Sequence, residues 1–526
     1  MSAAVALSRL TGVVREVVMA RLFGAGASYD AFLLGVRIPN LTRNLFAEGA
    51  LSSAFVPTFT RYLSTRGKRD AAELSNQVAT ALILVVGAAC LLGILLSPQL
   101  VALLAPGFSQ VPGKAELSIL LTRIMFPFLV LVALAAQAMG VLNACGIFGV
   151  PALASSFFNI GSVVVGLALG FTLGRRFEQG MIVSMAWGVV AGGVLQLLWQ
   201  APALWRAGFG FRPSLNFRHP GLREIAVLML PALVGNAATQ INVTVNTNFA
   251  SSLTDSAGHV LNGPVSWLGY AFRFMQLPLG LFGVAIASAT LPAISRSAAL
   301  DRMAEFRETL ARSLGMVLLL TIPSSVGLAV MGESMIGVVY QWGRFTAYDT
   351  HQTALALACY SAGLAGYSAT KVLAPAFYAL NDARTPMWVS LGSIAMNLGA
   401  AWILVKRTGL GHAALALSTS LVALAGSAAL FLLLGSRLGG LNGRRLAWSA
   451  LRIAAAAIVM GVACRACSSA IHLFFVSEKL AELADVAVSI PLGAAVFYAA
   501  GRFLAVEELE GIRSAVLHFF KECSPT

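Results

Sequence analysis

Apolar stretches of membrane-spanning length recur along this chain, and that recurrence constrains the fold more than any single motif. A spanning helix needs roughly 20 mostly apolar residues, and such stretches run over about 2–22, 28–60, 74–104, 116–143, 150–173, 180–205, 222–252, 263–294, 308–332, 351–380, 385–406, 411–436, 446–472 and 483–504. At about 35–40 residues per helix and connection, the 526 residues accommodate roughly fourteen spans. Composition agrees: 58% of residues are hydrophobic and 11% charged, against about 25% charged in a soluble domain. A soluble enzyme, a disordered scaffold and a coiled coil are thereby excluded. The expected class is an all-α polytopic membrane protein.

The formal charge of +14 comes from 36 Lys and Arg against 22 Asp and Glu. In a membrane protein this excess collects in inner loops rather than marking a nucleic-acid partner. Alternate connections hold Arg61, Arg66, Lys68 and Arg69, then Arg206, Arg212, Arg218 and Arg223, then Arg296, Arg302, Arg307 and Arg312, then Arg437, Arg444 and Arg445. The intervening connections hold fewer, among them Lys114, Arg175, Arg176, Arg344 and Lys479. The bias places both termini in the cytoplasm and requires an even number of spans. Met1–Leu7 has no basic n-region and no cleavage site, so no removable signal peptide is expected.

The first twelve spans read as a duplication. Ala54, Pro57 and Arg61 recur as Ala289, Pro292 and Arg296, shifted by 235 positions. Leu45-Phe46 recurs as Leu281-Phe282, while Leu142-Asn143 and Asn159-x-Gly161 recur 238 positions on as Leu380-Asn381 and Asn397-x-Gly399. A shift across six helices keeps orientation, so the repeat is parallel and predicts two lobes around a central cavity. The expected organisation is residues 1–206 as the N-terminal lobe, 207–438 as the C-terminal lobe, and 439–526 as two extra helices with a cytoplasmic tail.

Charges inside spans are expensive, at about 2.5–3.5 kcal/mol at the bilayer centre, so they should face a wet cavity, a partner or a polar substrate. The first span carries Arg9, Arg15 and Glu16; the second carries Asp30, Arg37, Asn40, Arg43, Asn44 and Glu48 around Pro39. At about 100° per residue, Asp30, Arg37, Asn44 and Glu48 share one stripe with Asn40 beside it, and Arg9 and Glu16 share a face. Arg43 points away from the Arg37 stripe unless Pro39 bends the helix. Arg37 and Asp30 suit an interhelical ion pair as well as a site. Arg273, 236 positions after Arg37, sits in the eighth span among aromatic residues with no acid nearby. Arginines from both halves with few acids imply an anionic ligand, and guanidinium forks suit a pyrophosphate.

Other chemistry finds no support. No G-x-x-x-x-G-K-[ST] occurs; Gly24-Ala-Gly26-Ala-Ser28 lacks the lysine. The six histidines are dispersed, no H-E-x-x-H occurs, and the Cys464/Cys467 pair lacks the further ligands a zinc site needs. No cofactor is expected. Transport energy must come from an ion gradient, the membrane potential or consumption of substrate on the far side.

The opening block Ser8-Arg9-Leu-Thr-Gly12-Val-Val-Arg15-Glu16, followed by Phe23-Gly-Ala-Gly26 and Asp30-Ala-Phe32, resembles the MurJ (MviN) lipid II flippases. So do Pro39-Asn40-Leu-Thr-Arg43 through Glu48 to Pro57, Val265-Ser266-Trp267 through Arg273 to Pro278, and Lys371 through Pro375 to Tyr378 with Thr385-Pro386. The resemblance implies the multidrug/oligosaccharidyl-lipid/polysaccharide superfamily fold: fourteen helices, two six-helix lobes and an extra pair beside a lipid-facing groove. It implies movement of lipid II, the undecaprenyl-pyrophosphate-linked peptidoglycan precursor, between leaflets of the bacterial inner membrane. The family's cavity arginines match Arg15, Arg43 and Arg273, with Arg9 in the motif; Glu16, Asp30, Arg37, Asn40 and Glu48 match or flank its other polar positions. Phe272 stands where many members carry an acid, and Glu16 where an aspartate is common.

The expected mechanism is alternating access. The arginines hold the pyrophosphate, the polyprenyl tail stays in lipid, and Glu16, Asp30 and Glu48 form state-dependent ion pairs. Lipid II and membrane lipids are the expected partners, with cell-wall synthesis and division proteins as further candidates; a monomer suffices. Competing readings are an exporter of another polyprenyl-linked glycan, a non-transporting cell-wall scaffold, and an enzyme acting on lipid-linked pyrophosphate, for which no metal-binding acidic cluster is visible.

Overall fold

A computed structural model describes residues 2–43, 52–173, 178–216 and 219–509. The described residues form nineteen α-helices, one short 3-10 turn and one π segment, with a single isolated β-bridge between Thr254 and Val260. Ten segments among them are long and apolar enough to cross a membrane, and each coincides with an expected span. The remaining expected spans fall on helices that are charged, interrupted or long without meeting that criterion.

Packing divides the chain into two compact units, the first comprising the described residues of Met1–Ser266 with Gly343–Phe345, the second those of Trp267–Trp342 with Thr346–Thr526. The first unit holds α1 (Ser2–Phe23), α2 (Ala27–Arg43), α3 (Ser52–Thr65), α4 (Lys68–Leu95), α5 (Ser97–Leu104), α6 (Lys114–Met125), α7 (Phe128–Ala144), α8 (Gly149–Leu173), α9 (Glu178–Arg206) and α10 (Pro220–Ser251). Its apolar core gathers Phe55, Phe59 and Tyr62 of α3 with Leu74 and Val78 of α4, Leu129 of α7 and Ile225 of α10.

The α8–α9 pair is packed through small residues. A Cβ at Gly188 would stand 2.3 Å from the Ser162 carbonyl oxygen, and one at Gly192 would stand 2.6 Å from that of Phe158. Lipid offers no hydrophobic drive between helices, so close backbone approach is what such pairs use. The α1–α2 turn also depends on a glycine. Gly24 has φ +59°, and a Cβ there would meet the Arg344 carbonyl oxygen at 2.4 Å.

The second unit holds α11 (Pro264–Pro278, entering from the first), α12 (Ala285–Ala299), α13 (Met303–Tyr340), α14 (Ala347–Ser361), α15 (Leu364–Ala379), α16 (Arg384–Arg407), α17 (His412–Leu438), α18 (Gly443–Phe474) and α19 (Glu478–Phe503). Phe306, Leu310, Leu314 and Val317 of α13 pack with Val372 and Phe377 of α15 and Leu430 of α17. The α18–α19 hairpin lies against the other end of α13, where Met331, Met460 and Cys464 meet.

Several stretches expected to be continuous are broken. The stretch 74–104 divides at Leu96, with Pro98 in the first turn of α5, and 116–143 divides at Phe126–Pro127. Proline lacks the N–H that would continue the ladder. The stretch 351–380 divides at Ala362–Gly363, and a π segment, Leu279–Val284, separates α11 from α12 after Pro278. The second expected span, 28–60, divides into α2 and α3, and residues 44–51 between them, including Asn44 and Glu48, lie outside the described residues.

The duplication is visible in the order of elements. Shifted by 235, Lys68–Leu104 falls on α13, which runs unbroken for 38 residues where its counterpart is split. The ends of α7 and α15 repeat the same closure: Ile147 N–H to Leu142 O at 2.9 Å and Asp382 N–H to Phe377 O at 2.9 Å. Left-handed residues stand at both turns, Gly146 at φ 77° and Asn381 at φ 57°. These bonds and left-handed residues correspond at a shift of 235. The sequence matches at 238 are therefore displaced by about one turn, because register is carried by the helix ends rather than by residue identity.

Candidate functional site

The polar residues of α1 and α2 are not arranged as one open row. Arg9 is exposed, whereas Glu16, seven residues on, is buried. Helical phase puts them on one side; what separates them is the covering of Glu16 by its neighbours. Arg15 Nη2 donates to Glu16 Oε1 at 3.0 Å, and the Tyr29 hydroxyl donates to Glu16 Oε2 at 3.2 Å. The half-buried Arg15 guanidinium also lies 5.4 Å from the Phe158 ring centroid, within cation–π range. One turn back, Asn159 Nδ2 donates to the Ser8 carbonyl and to Thr11 Oγ1, each at 3.3 Å. Arg15 is thus a cation whose position is fixed by a carboxylate, a phenol and a ring, with a face still open.

Asp30 is the most enclosed of the expected site residues. Its carboxylate accepts from Lys114 Nζ at 2.8 Å, Gly263 N–H at 2.8 Å, Ser266 N–H at 2.9 Å and Ser266 Oγ at 2.6 Å. Gly263 and Ser266 frame the start of α11, so Asp30 satisfies N–H groups that a helix start leaves unpaired. Lys114 also donates to Asn262 Oδ1 at 2.9 Å and stands 4.2 Å from the Phe108 ring centroid. Lys114 corrects the sequence reading: counted as an outer-loop cation, it is buried at the first residue of α6. Lys114, Gly263 and Ser266 were not singled out as partners of Asp30, because 84 to 236 positions separate them and no local spacing links them.

Arg37 donates to Thr247 Oγ1 of α10. The Oδ1 atom of Asn40, beside Pro39, is buried with no hydrogen-bond partner among the described residues. Arg43 closes α2; its side chain, like Glu48, lies outside the described set. In the second unit, Arg273 is exposed midway along α11. The flanking rings fix the surroundings: Phe272 meets Tyr360 edge-on at 5.4 Å, and Phe274 meets Tyr340 at 5.6 Å. Phe272 is therefore a packing residue, held by an aromatic partner on α14.

Chemically, these residues offer guanidinium groups, a buried acid–lysine pair and hydroxyls. Among the described residues, no three His, Cys, Asp or Glu side chains gather as metal ligands.

Comparison with known proteins identifies the family. Residues 19–484 match the family described as lipid II flippase MurJ. A probable lipid II flippase MurJ of Vibrio cholerae is 36% identical over 472 residues, covering 87% of this chain and 86% of that protein. The lipid II flippase MurJ of Burkholderia cenocepacia is 34% identical over 435 residues, covering 82% of each. Among solved structures, a lipid II flippase MurJ in an inward closed conformation superposes with TM-score 0.77 at 25% identity, over 96% of this chain and 99% of that one. An inward-facing MATE multidrug transporter of the MOP superfamily shares the fold, with TM-score 0.68 at 15% identity over 82% of this chain and 94% of that one. With the family match spanning most of its length and relatives above 30% identity along both units, this chain belongs to the MurJ family of lipid II flippases.

Proposed function

We propose that the chain carries lipid II from the cytoplasmic to the outer leaflet of the bacterial inner membrane, leaving its covalent structure unchanged. The observation that carries this reading is the family match along residues 19–484. It acts as a transporter rather than an enzyme, by alternating access, without a cofactor and as a monomer. The membrane potential or an ion gradient supplies the energy. The cation bias of alternate connections supports a cytoplasmic location for both termini.

The pyrophosphate is held by Arg15, Arg43 and Arg273, with Arg9 contributing charge. Guanidinium groups suit this work because they stay charged and offer paired donors matched to phosphate oxygens. Neutralising the pyrophosphate lowers the cost of taking the head group through the membrane core. The support for Arg15 is its oriented, half-buried side chain beside Glu16 and Tyr29. Glu16, Asp30, Arg37, Asn40 and Glu48 support the site and its gating. Cell-wall synthesis and division proteins are natural neighbours of such a transporter.

The test is replacement in cells depleted of their own lipid II flippase, using this chain and its Arg273→Ala variant at matched membrane levels. Growth and surface-exposed lipid II are measured together. The wild type restores both and the variant restores neither. Rescue by both proteins would leave the flippase reading standing and remove the arginine clamp. A wild type that inserts but restores nothing would favour another polyprenyl-linked glycan as substrate.

A further inference from the structure

Away from the arginines, the second unit encloses a carboxylate that the transport reading does not use. Asp485, in the third turn of α19, is 0% exposed. Its Oδ1 accepts from Ser489 Oγ at 2.6 Å; its Oδ2 accepts from Ser468 Oγ of α18 at 2.8 Å and from Ser334 Oγ of α13. Three helices are therefore tied to one acid. His472, two residues before the end of α18, brings Nε2 to 3.9 Å from Oδ2, and its side chain is 42% exposed.

An ionisable group within a spanning helix is costly and marks a site by default. Here the hydroxyls satisfy the oxygen lone pairs but bring no charge. Among the described residues, His472 is the one side chain able to carry positive charge within 4 Å of the carboxylate. The nearby cation Lys479 is committed elsewhere, to Glu482 Oε2 at 2.7 Å and the Gly337 carbonyl at 2.8 Å. The other groups around the pair are accounted for. Cys464 of α18 donates to the Ser489 carbonyl at 3.4 Å, and Cys467 and the exposed Arg465 lie on the same helix. Glu478 and Glu482 lie on α19, with Glu482 in electrostatic reach of His472. On α13, Glu333 is exposed and meets His351 at 3.2 Å. The three hydroxyls donate directly into the carboxylate, so its oxygens are bonded rather than set around a gap of ionic size.

We propose that Asp485, Ser334, Ser468, Ser489 and His472 form a proton-binding site, in which His472 takes the proton and Asp485 is its counter-ion. Imidazole changes charge across about pH 5–8. Proton uptake converts the 3.9 Å contact into an ion pair between the end of α18 and the buried acid of α19. Proton release leaves the acid held by hydroxyls alone. The grip of the α18–α19 hairpin on α13 then follows the acidity at the end of the hairpin where α18 ends and α19 begins. Any effect on lipid II movement rests on the flippase reading; proton binding itself does not.

The experiment is a pH titration of the full chain in lipid nanodiscs, followed by infrared difference spectroscopy between about pH 5 and 8. Wild type, His472→Gln and Asp485→Asn are compared. The expected result is an imidazole ring component accompanied by a carboxylate component that the wild type shows and His472→Gln lacks, over the background of the other five histidines. In Asp485→Asn the ring signal should change, because the facing anion is gone. A ring signal unmoved by Asp485→Asn overturns the proposal. If that variant does not accumulate, a carboxylate change that persists unaltered in His472→Gln overturns it equally. A wild type that shows the coupled signal yet fails the replacement assay retains the proton site and loses the transport reading.

Discussion

Asp30 and Lys114 meet at 2.8 Å with both side chains closed off from solvent. The pair joins α2 to α6 and, through Gly263 and Ser266, fixes where α11 begins. Removing one partner of such a buried pair costs about 3–5 kcal/mol, because the other charge is left uncompensated. Lys114→Met is expected to lower stability by that order, and Asp30→Asn with Lys114→Met to recover part of the loss. Thermal unfolding of the purified variants in nanodiscs measures this. A single variant no less stable than the double would show that the charges are not coupled.

The α8–α9 contact makes a steric prediction. Gly188→Val and Gly192→Val place carbon against backbone carbonyls already 2.3 Å and 2.6 Å from a Cβ position. Each should cost about 1–3 kcal/mol, as overpacking does. Gly87→Val on α4 is the matched control, since a Cβ there meets nothing within 4 Å. Membrane accumulation and thermal midpoints of the three variants decide the matter.

Tyr29→Phe removes the phenol donor at 3.2 Å from Glu16 and leaves the ring in place. A hydrogen bond to a charged group is worth about 1.5–3 kcal/mol. The variant should lose stability on that scale and retain more surface lipid II than Arg15→Ala in the replacement assay. Equal loss of export in the two would mean that Arg15 acts only when Glu16 is held by Tyr29.

Asp382, in the connection between α15 and α16, gives a pH prediction. Its carboxylate accepts from Thr385 Oγ1 at 2.6 Å and from the Thr385 and Arg384 N–H groups, and pairs with Arg437. The Thr385 hydroxyl above all, then its N–H and the Arg437 charge, holds this carboxyl below its usual range. A depressed folded value means that the stabilisation is complete above the unfolded value of about 3.9 and is lost as pH falls through the folded one. Asp382→Asn should therefore be less stable than wild type at neutral pH, with the gap closing in acid below about pH 3.9. Unfolding midpoints of both proteins across that range test it; a gap independent of pH would be the contrary result.

Hydropathy made the fold class legible because each spanning helix must satisfy its backbone internally and face lipid with apolar atoms. Pro98 and Pro127 stand at two of the interruptions, which hydropathy alone runs through. Arg15, Glu16 and Asp30 could be picked out as polar residues where polarity is costly. Their partners could not. Lys114 looked like one more loop cation, and nothing local ties position 114 to position 30. Asp485 was passed over within an apolar stretch; Ser489, one turn on, was a readable companion, whereas Ser334 and Ser468 come from helices whose neighbours only packing decides. Register behaved likewise, since the repeat is set by helix ends, and matching letters one turn away misplaced part of it.

The glycine seam between α8 and α9 has a mechanical consequence. Two helices whose backbones already touch cannot slide past one another without atoms overlapping, so the pair behaves as a single stiff beam. Among the described residues of the first unit, helix continuity is interrupted instead at places such as the glycine turn at Gly24, the offset at Leu96–Ser97 and the proline step at Phe126–Pro127.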